Sequence, residues 1–380
     1  MANTLTNLIP DLYAALDIVS RELVGMIPAV TMDAQVTRAA IGQVVRIPLT
    51  AAPTASDAVP AVTPPNDGDQ TIGNTTVTIS KSRRAAVRWT GEEQRALDNN
   101  GPGYRSILQN QFAQAMRVLT NEIETDLAAL YTRASRAYGT AGTTPFGTGG
   151  DYSDAAQVRK ILVDNGAPVS DLQLVLNTQA GATIRGKQAQ VQMVGDQSLL
   201  RQGVLLDMHG FTMRESAQIK NVTKGTGASY TTTAAGFAVG TTSIPLITGT
   251  GAILAGDIVT FAGDTNKYMV ATGISAPGTL VLAAPGLRQA IPAAATAVTV
   301  GNSFTANLAF SRGSILLAAR APTLPAEGDM ATDRMMITDP KSNLSFEVSV
   351  YPQYLQVLYD VRLAWGVACI KPENLAVLLG

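Results

Sequence analysis

Few residues in this chain have the types and spacings that support chemistry. The only histidine is His209, and Asp207 precedes it by two positions, so on a strand the two side chains would share a face. A nucleophilic triad would also need a serine on an activating turn, and no G-x-S-x-G occurs. His209 therefore reads as a structural strand histidine. Glu122, Glu124 and Asp126 stand at offsets of two in a helical pattern, which does not bring all three to one face. A solvated or intersubunit face is expected for them. Asp67 and Asp69 flank Gly68, but the twelve-residue calcium-loop pattern is absent, which leaves turn chemistry. Gly249-Thr250-Gly251 does not extend to G-x-G-x-x-G, and no G-x-x-x-x-G-K-[ST] occurs. The single cysteine, Cys369, excludes an intrachain disulfide and any multi-cysteine zinc site. It lies in the apolar run 364–370 and reads as a small buried hydrophobe. No catalytic, cofactor or metal constellation is present, so an enzyme is not expected.

One charged cluster remains: Lys81, Arg83, Arg84 and Arg88 in a strand-like segment, followed by Glu92 and Glu93. Pairing with carboxylates across a subunit interface is the expected use, with phosphate contact the alternative. The whole chain carries 28 Lys+Arg against 29 Asp+Glu, a net charge of −1, which is no electrostatic footprint for tight nucleic-acid binding. Charged residues make up only 15% of the 380 residues, against roughly 25% in an average soluble domain. Low charge without a continuous apolar span implies that other subunits cover much of the surface.

The elements that would position these residues follow from periodicity. Leu8, Leu12, Leu16, Val19, Leu23 and Met26 form one apolar stripe, predicting an amphipathic helix over 4–26 that Pro28 stops. The first 23 residues carry no positive charge before Arg21 and do not read as a secretory signal. A strand over 43–49, a Pro-rich tip with Pro53, Pro60, Pro64 and Pro65, and a strand over 76–89 form a long two-stranded excursion. An isolated ribbon of that kind is marginal alone and leans on a partner. Residues 103–138 hold a helical stripe without internal Gly or Pro, roughly 50 Å long. An α/β stretch follows: a helix capped by Ser153, a buried strand over 172–177, a helix from Thr178 to about Ala189, and a strand pair over 203–216 bent at Gly210.

Residues 221–304 break the pattern. They contain only five charges, Lys224, Asp257, Asp264, Lys267 and Arg288, in a background of Gly, Thr, Ala and Val. The uncharged run 225–256 is interrupted by Gly236, Gly240, Pro245, Gly249 and Gly251, which argues against a membrane span. Strands over 253–263, 268–271, 279–282 and 297–300 predict a small barrel or sandwich inserted into a host that resumes at Thr305. The host ends in an apolar segment over 307–322, a polar loop, and a hairpin alternating through Phe346, Val348 and Val350, then Val357, Tyr359, Val361 and Leu363.

This order of elements resembles the major capsid (coat) proteins of tailed bacteriophages, in the branch with a β-rich insertion domain. The opening LTNLIPDLYAALDIVSREL is similar to their N-terminal arm, LAGDIVTFAG to a strand pair of the insertion domain, and AWGVACIKPENLAVLLG to their C-terminal ends. The resemblance implies an α+β fold with an arm (1–42), an extended loop (43–90), a peripheral domain with a spine helix (91–149), and a first axial part (150–220). The inserted β-barrel-like domain (221–304), a second axial part (305–345) and a peripheral hairpin with the C-terminus (346–380) would follow. It implies self-assembly through pentamers and hexamers into an icosahedral virion shell around double-stranded DNA, held by weak non-specific contact. Assembly would take place in the bacterial cytoplasm with a separate scaffolding protein and a portal, with room for a decoration protein and no membrane. Arg83, Arg84, Arg88, Glu92, Glu93, Asp264 and Lys267 are the intersubunit candidates. No residues match the lysine–asparagine cross-link of some members. The alternative within the fold is an encapsulin-type cargo compartment. A carbohydrate-binding or adhesive β module on a helical stalk would fit 221–304 alone.

Overall fold

The computed structural model describes residues 24–33, 37–50, 53, 55–60, 62–63, 68–100, 104–148, 151–188, 205, 207–339 and 342–380. The amphipathic helix expected over 4–26 falls outside them up to residue 23, as do Pro64, Pro65 and Asp67 of the expected tip.

Alternating apolar residues build the first sheet. Ser345–Gln353 and Gln356–Cys369 form a hairpin whose register sets Val348 opposite Val361 and Val350 opposite Tyr359. Asp333–Thr338, within the expected polar loop, extends the hairpin on one side. Residues 356–365 pair with Lys81–Thr90, and residues 364–369 with Ile315–Arg320, which in turn pairs in parallel with Thr31–Asp33. Across this sheet lies α2 (Tyr104–Ala128), preceded by α1 (Gly91–Asn100). Phe112, Met116, Leu119, Ile123 and Leu127 of α2 are buried against Tyr359, Val361 and Trp365 in the largest core.

Two expectations need correction here. At 25 residues α2 is about 37 Å long and does not reach 138. Ala129–Arg133 tighten into a 3-10 turn, and Arg136–Tyr138 pair in parallel with Leu375–Leu379. Pairing with the far end of the chain overrides the local helical stripe. The strand expected over 76–89 is two strands that part at Ile79-Ser80. Gly73–Thr78 pairs with Val44–Leu49 as a separate two-stranded ribbon, whereas Lys81–Thr90 joins the hairpin sheet. Gly366 permits this crossing, since a Cβ there would stand 2.0 Å from the Thr78 carbonyl oxygen.

The second sheet holds the α/β stretch. Leu375–Leu379, Phe304–Ser311, Leu172–Leu176 and Phe211–Glu215 lie side by side. α3 (Ser153–Asp164) and α4 (Thr178–Gln188) cover it with Val158, Leu162, Ala180 and Ile184. Ser153 is not the cap of α3 but its first residue, and Asp151 Oδ1 accepts its N–H at 2.9 Å. The strand pairings cross the boundaries expected at 304/305 and 345/346: Ile315–Arg320 joins the hairpin, and Leu375–Leu379 joins Phe304–Ser311.

The insertion is a closed antiparallel barrel. Ile258–Phe261, Ala297–Val300, Ala228–Thr232, Ser243–Thr250, Thr279–Leu282 and Lys267–Thr272 pair in that order, and the last pairs back to the first. Closure leaves the barrel no open sheet edge of its own. It has a core of its own, including Tyr230, Val259, Phe261, Tyr268 and Leu280. Gly249 is required there, because a Cβ would meet the Tyr230 ring at 2.4 Å. The barrel's two ends pair with each other, Val222 opposite Phe304, and Tyr268 opposite Arg136 fuses the barrel to the host sheet.

Candidate functional site

The basic segment sits where the ribbon, the hairpin and α2 meet. Glu122 and Asp126 are one helical turn apart and so face the same way. Lys81 Nζ lies 3.1 Å from Glu122 Oε1 and 2.8 Å from Asp126 Oδ1. Arg83 Nε donates to Glu122 Oε1 at 3.1 Å, and the buried Trp365 donates its Nε1–H to Asp126 Oδ2 at 2.8 Å. Desolvation pulls the Lys81 ammonium down, but hydrogen bonds to Asp126 and Glu122 outweigh it and leave it raised. These carboxylates therefore work within the chain.

Glu124 corrects the expectation of a solvated or intersubunit face more sharply. Pointing away from the other two, it is 1% exposed and accepts N–H bonds from Met26 (3.0 Å) and Ile27 (2.8 Å) and the Ser216 hydroxyl (2.6 Å). Burial pushes its carboxyl up, opposed by the bonds from Ser216 and the backbone. One side chain thus ties the chain entry, the long helix and the end of the α/β stretch together.

The other candidates divide. Arg84 is exposed, 3.8 Å from the buried Asp360. Arg88 and Glu92 are exposed. Glu93 closes a capping box at the start of α1: its Oε2 accepts the Thr90 N–H at 2.9 Å while Thr90 Oγ1 accepts the Glu93 N–H at 3.3 Å. The Thr90 bonds, with a further pull from Arg88, hold the Glu93 carboxyl below its ordinary value. Asp264 accepts the Tyr268 hydroxyl at 2.6 Å and the Asn266 backbone and side-chain N–H groups at 2.8 and 2.7 Å. Desolvation, then Asp264, pushes that phenol up to about 12. Lys267 is half-buried, and its ammonium donates to the Gly139 carbonyl. Both side chains of the expected barrel contact are engaged inside the chain.

Several features had no sequence signal. Glu347, fully buried in the hairpin, pairs with Arg38 at 2.5 Å and Arg362 at 2.6 Å, with Arg334 at 3.6 Å. Arg38 also donates to the Pro322 carbonyl at 2.8 Å, which pins the entry segment across the first sheet. At the tip of the hairpin, Tyr354 is 90% and Leu355 75% exposed, and Leu355 takes the left-handed backbone at φ 54°. An open groove of about 590 Å³ lies between Lys81–Thr90 and α2, lined by Val87, Ile107 and the exposed Val118 among others.

The chemistry-bearing residues separate. His209 is not on a strand: with Gly210 it forms a tight turn at φ 52° and 78°, closed by the Phe211 N–H to the Met208 carbonyl at 2.9 Å. Asp207 accepts the Met213 N–H at 3.0 Å. The two therefore form no pair. Cys369 is partly buried at the edge of the core, where desolvation and then Glu373 push its thiol up to about 12. Among the described residues no group of three His, Cys, Asp or Glu is placed to hold a metal ion, and no helix is long and apolar enough to cross a membrane.

No family model matches the chain, and no curated protein does. Solved structures that it resembles include a capsid structure of the Cyanophage P-SCSP1u, at 11% identity over 92% of this chain and 86% of that one, TM-score 0.49. A structure from Mycobacterium phage Che8 resembles it at 13% identity over 90% and 88%, TM-score 0.45. A virus-like particle from Pyrococcus furiosus does so at 10% identity over 97% and 98%, TM-score 0.43. All three TM-scores lie below 0.5, so the functional conclusion rests on the chain's own geometry.

Proposed function

We propose that this chain is the major capsid protein of a tailed phage, a subunit that self-assembles into an icosahedral shell around double-stranded DNA. The observation that carries the proposal is the ribbon Val44–Leu49 with Gly73–Thr78. It pairs with no other strand among the described residues. Its base is anchored by buried Val77 and Ile79, while Val44, opposite Thr78, and Ile72, at the far end, are exposed. A two-stranded ribbon with exposed apolar side chains is marginal in water and gains stability on another surface. The exposed hairpin tip at Tyr354 and Leu355 and the groove beside α2 add two further apolar surfaces.

In this reading 43–90 is the extended loop reaching a neighbour, α2 the spine helix, and the barrel over 221–304 a projection on the outer face. The exposed Arg84, Arg88 and Glu92 are the charges left for neighbours. Pentamers and hexamers of the chain, a separate scaffolding protein, a portal and a decoration protein are the partners that such a shell calls for. With a net charge of −1 the wall would hold DNA only weakly. Assembly in the bacterial cytoplasm and residence in the virion follow from the same reading.

Electron microscopy of the purified protein, alone and co-expressed with phage assembly proteins, tests it. Closed shells that protect DNA from nuclease are the expected outcome. A monomer under every condition refutes the shell. Shells that enclose protein cargo and no DNA refute the phage assignment in favour of a compartment.

A further inference from the structure

Three cations converge on a cleft at the seam between barrel and host. Arg136, from the strand that links the second sheet to the barrel, Lys160 on α3 and Lys267 on the barrel line a space of about 350 Å³. Thr140, Gln157 and Thr265 line it too, adding hydroxyl and amide hydrogen-bonding groups.

Their own chain neutralises these cations incompletely. The Arg136 side chain is 6% exposed, with Nη2 3.6 Å from Asp164 Oδ2 and Nη1 donating to the neutral Asn266 Oδ1 at 2.9 Å. Its buried Nε has no hydrogen-bond partner. Lys160 shares the same Asp164 carboxylate at 3.7 Å. Lys267 donates to a carbonyl, and nearby Asp264 is engaged by Tyr268 and Asn266. Desolvation lowers both Arg136 and Lys267, and repulsion from Arg288 lowers Arg136 further. Arg136 and Lys160 thus share one carboxylate, and Lys267 meets a neutral carbonyl. An anion that reaches them would stabilise the desolvated Arg136 and Lys267 most.

We infer that this cleft binds a small oxyanion, a phosphate or a carboxylate, held by Lys267, Lys160 and Arg136 with the polar groups of Thr140, Gln157 and Thr265. Lys267 lies on the barrel and Lys160 on the host, so the bound anion would also bridge the two units. Site and ligand class stand apart from the shell reading, because binding is measured on the full chain whatever its assembly state.

Isothermal titration of the full-length protein with potassium phosphate, and separately with potassium acetate, at ionic strength matched by potassium chloride, tests the inference. Saturable binding of at least one anion is expected, and the tighter of the two identifies the class. Lys267→Gln should weaken it about tenfold, the loss of one charge-assisted hydrogen bond. Lys160→Gln, at a mostly exposed position that leaves folding intact, should weaken it by a smaller factor. Lys371→Gln, beside Glu373 and away from the cleft, should leave it unchanged. Heats no different from chloride for both anions overturn the inference, and so does wild-type binding by both Lys267→Gln and Lys160→Gln.

Discussion

Replacing Glu124 with Ala tests whether one buried carboxylate holds the chain entry onto the long helix. The substitution leaves the Met26 and Ile27 N–H groups and the Ser216 hydroxyl without their acceptor, all in the interior. A buried donor without a partner costs about 1–3 kcal/mol. Three such losses at the lower value sum to about 3 kcal/mol, and part is returned because a carboxylate no longer has to be desolvated. A net loss of about 2–3 kcal/mol is expected, concentrated where 24–29 meets α2. Hydrogen–deuterium exchange read by mass spectrometry resolves it. Exchange across 24–30 should accelerate roughly 30- to 150-fold, the equivalent of that free energy. The hairpin strand Gln356–Cys369 should keep its protection. Unchanged exchange at 24–30 would refute the reasoning, and so would an equal acceleration everywhere, which would mean global destabilisation.

Three further outcomes follow. The Lys81 node should fail in alkali: its ammonium is raised in the folded chain, so its contribution is fully present below the ordinary value of 10.5 and lost as pH climbs through the higher folded value. The unfolding midpoint of Lys81→Met should show no such loss over that window, and matching alkaline profiles would count against the node. Asp264→Ala should lower barrel stability by about 1–2 kcal/mol by leaving the buried Tyr268 hydroxyl without its acceptor, measured as a lower thermal midpoint; an unchanged midpoint would contradict that role. The double variant Tyr354→Ser, Leu355→Gly should leave the circular dichroism of the subunit unchanged and reduce shell yield in electron micrographs; normal shells would remove the hairpin tip from the assembly surfaces.

Legibility in the sequence followed the range of the forces involved. The hairpin was readable because alternation at Phe346, Val348, Val350 and again at Val357, Tyr359, Val361 is a local record of one face packed on α2. Two barrel strands, Thr279–Leu282 and Ala297–Val300, carried the same local record. Ala228–Thr232 and Ser243–Thr250 were not readable, since Ser, Thr and Gly give little apolar contrast and their shared ladder shifts register twice. The end of α2 was hidden for the opposite reason. Leu130 and Tyr131 continue the helical stripe, and only Leu375–Leu379 pulls Arg136–Tyr138 into a sheet. Glu124 read as part of a solvated or intersubunit face because its partners at 26, 27 and 216 are remote in sequence.

The same reasoning sorts the intersubunit candidates. Lys81, Arg83, Arg84 and Arg88 were expected to pair with carboxylates across a subunit interface, but residue type does not say whether a partner comes from the same chain. Lys81 and Arg83 find theirs on α2, and Glu93 finds its own in Thr90. What remains outward is Arg84, Arg88 and Glu92, and exposed ion pairs contribute only about 0–1 kcal/mol each. Fully burying a large apolar side chain contributes about 1.5–3 kcal/mol. Leu355 holds a left-handed backbone that costs roughly 1–2 kcal/mol, a cost its own chain's packing does not offset because the side chain is mostly exposed. In the proposed shell, cohesion would therefore rest first on the apolar ribbon and the Tyr354–Leu355 tip. The charges would set which surfaces meet and in what register.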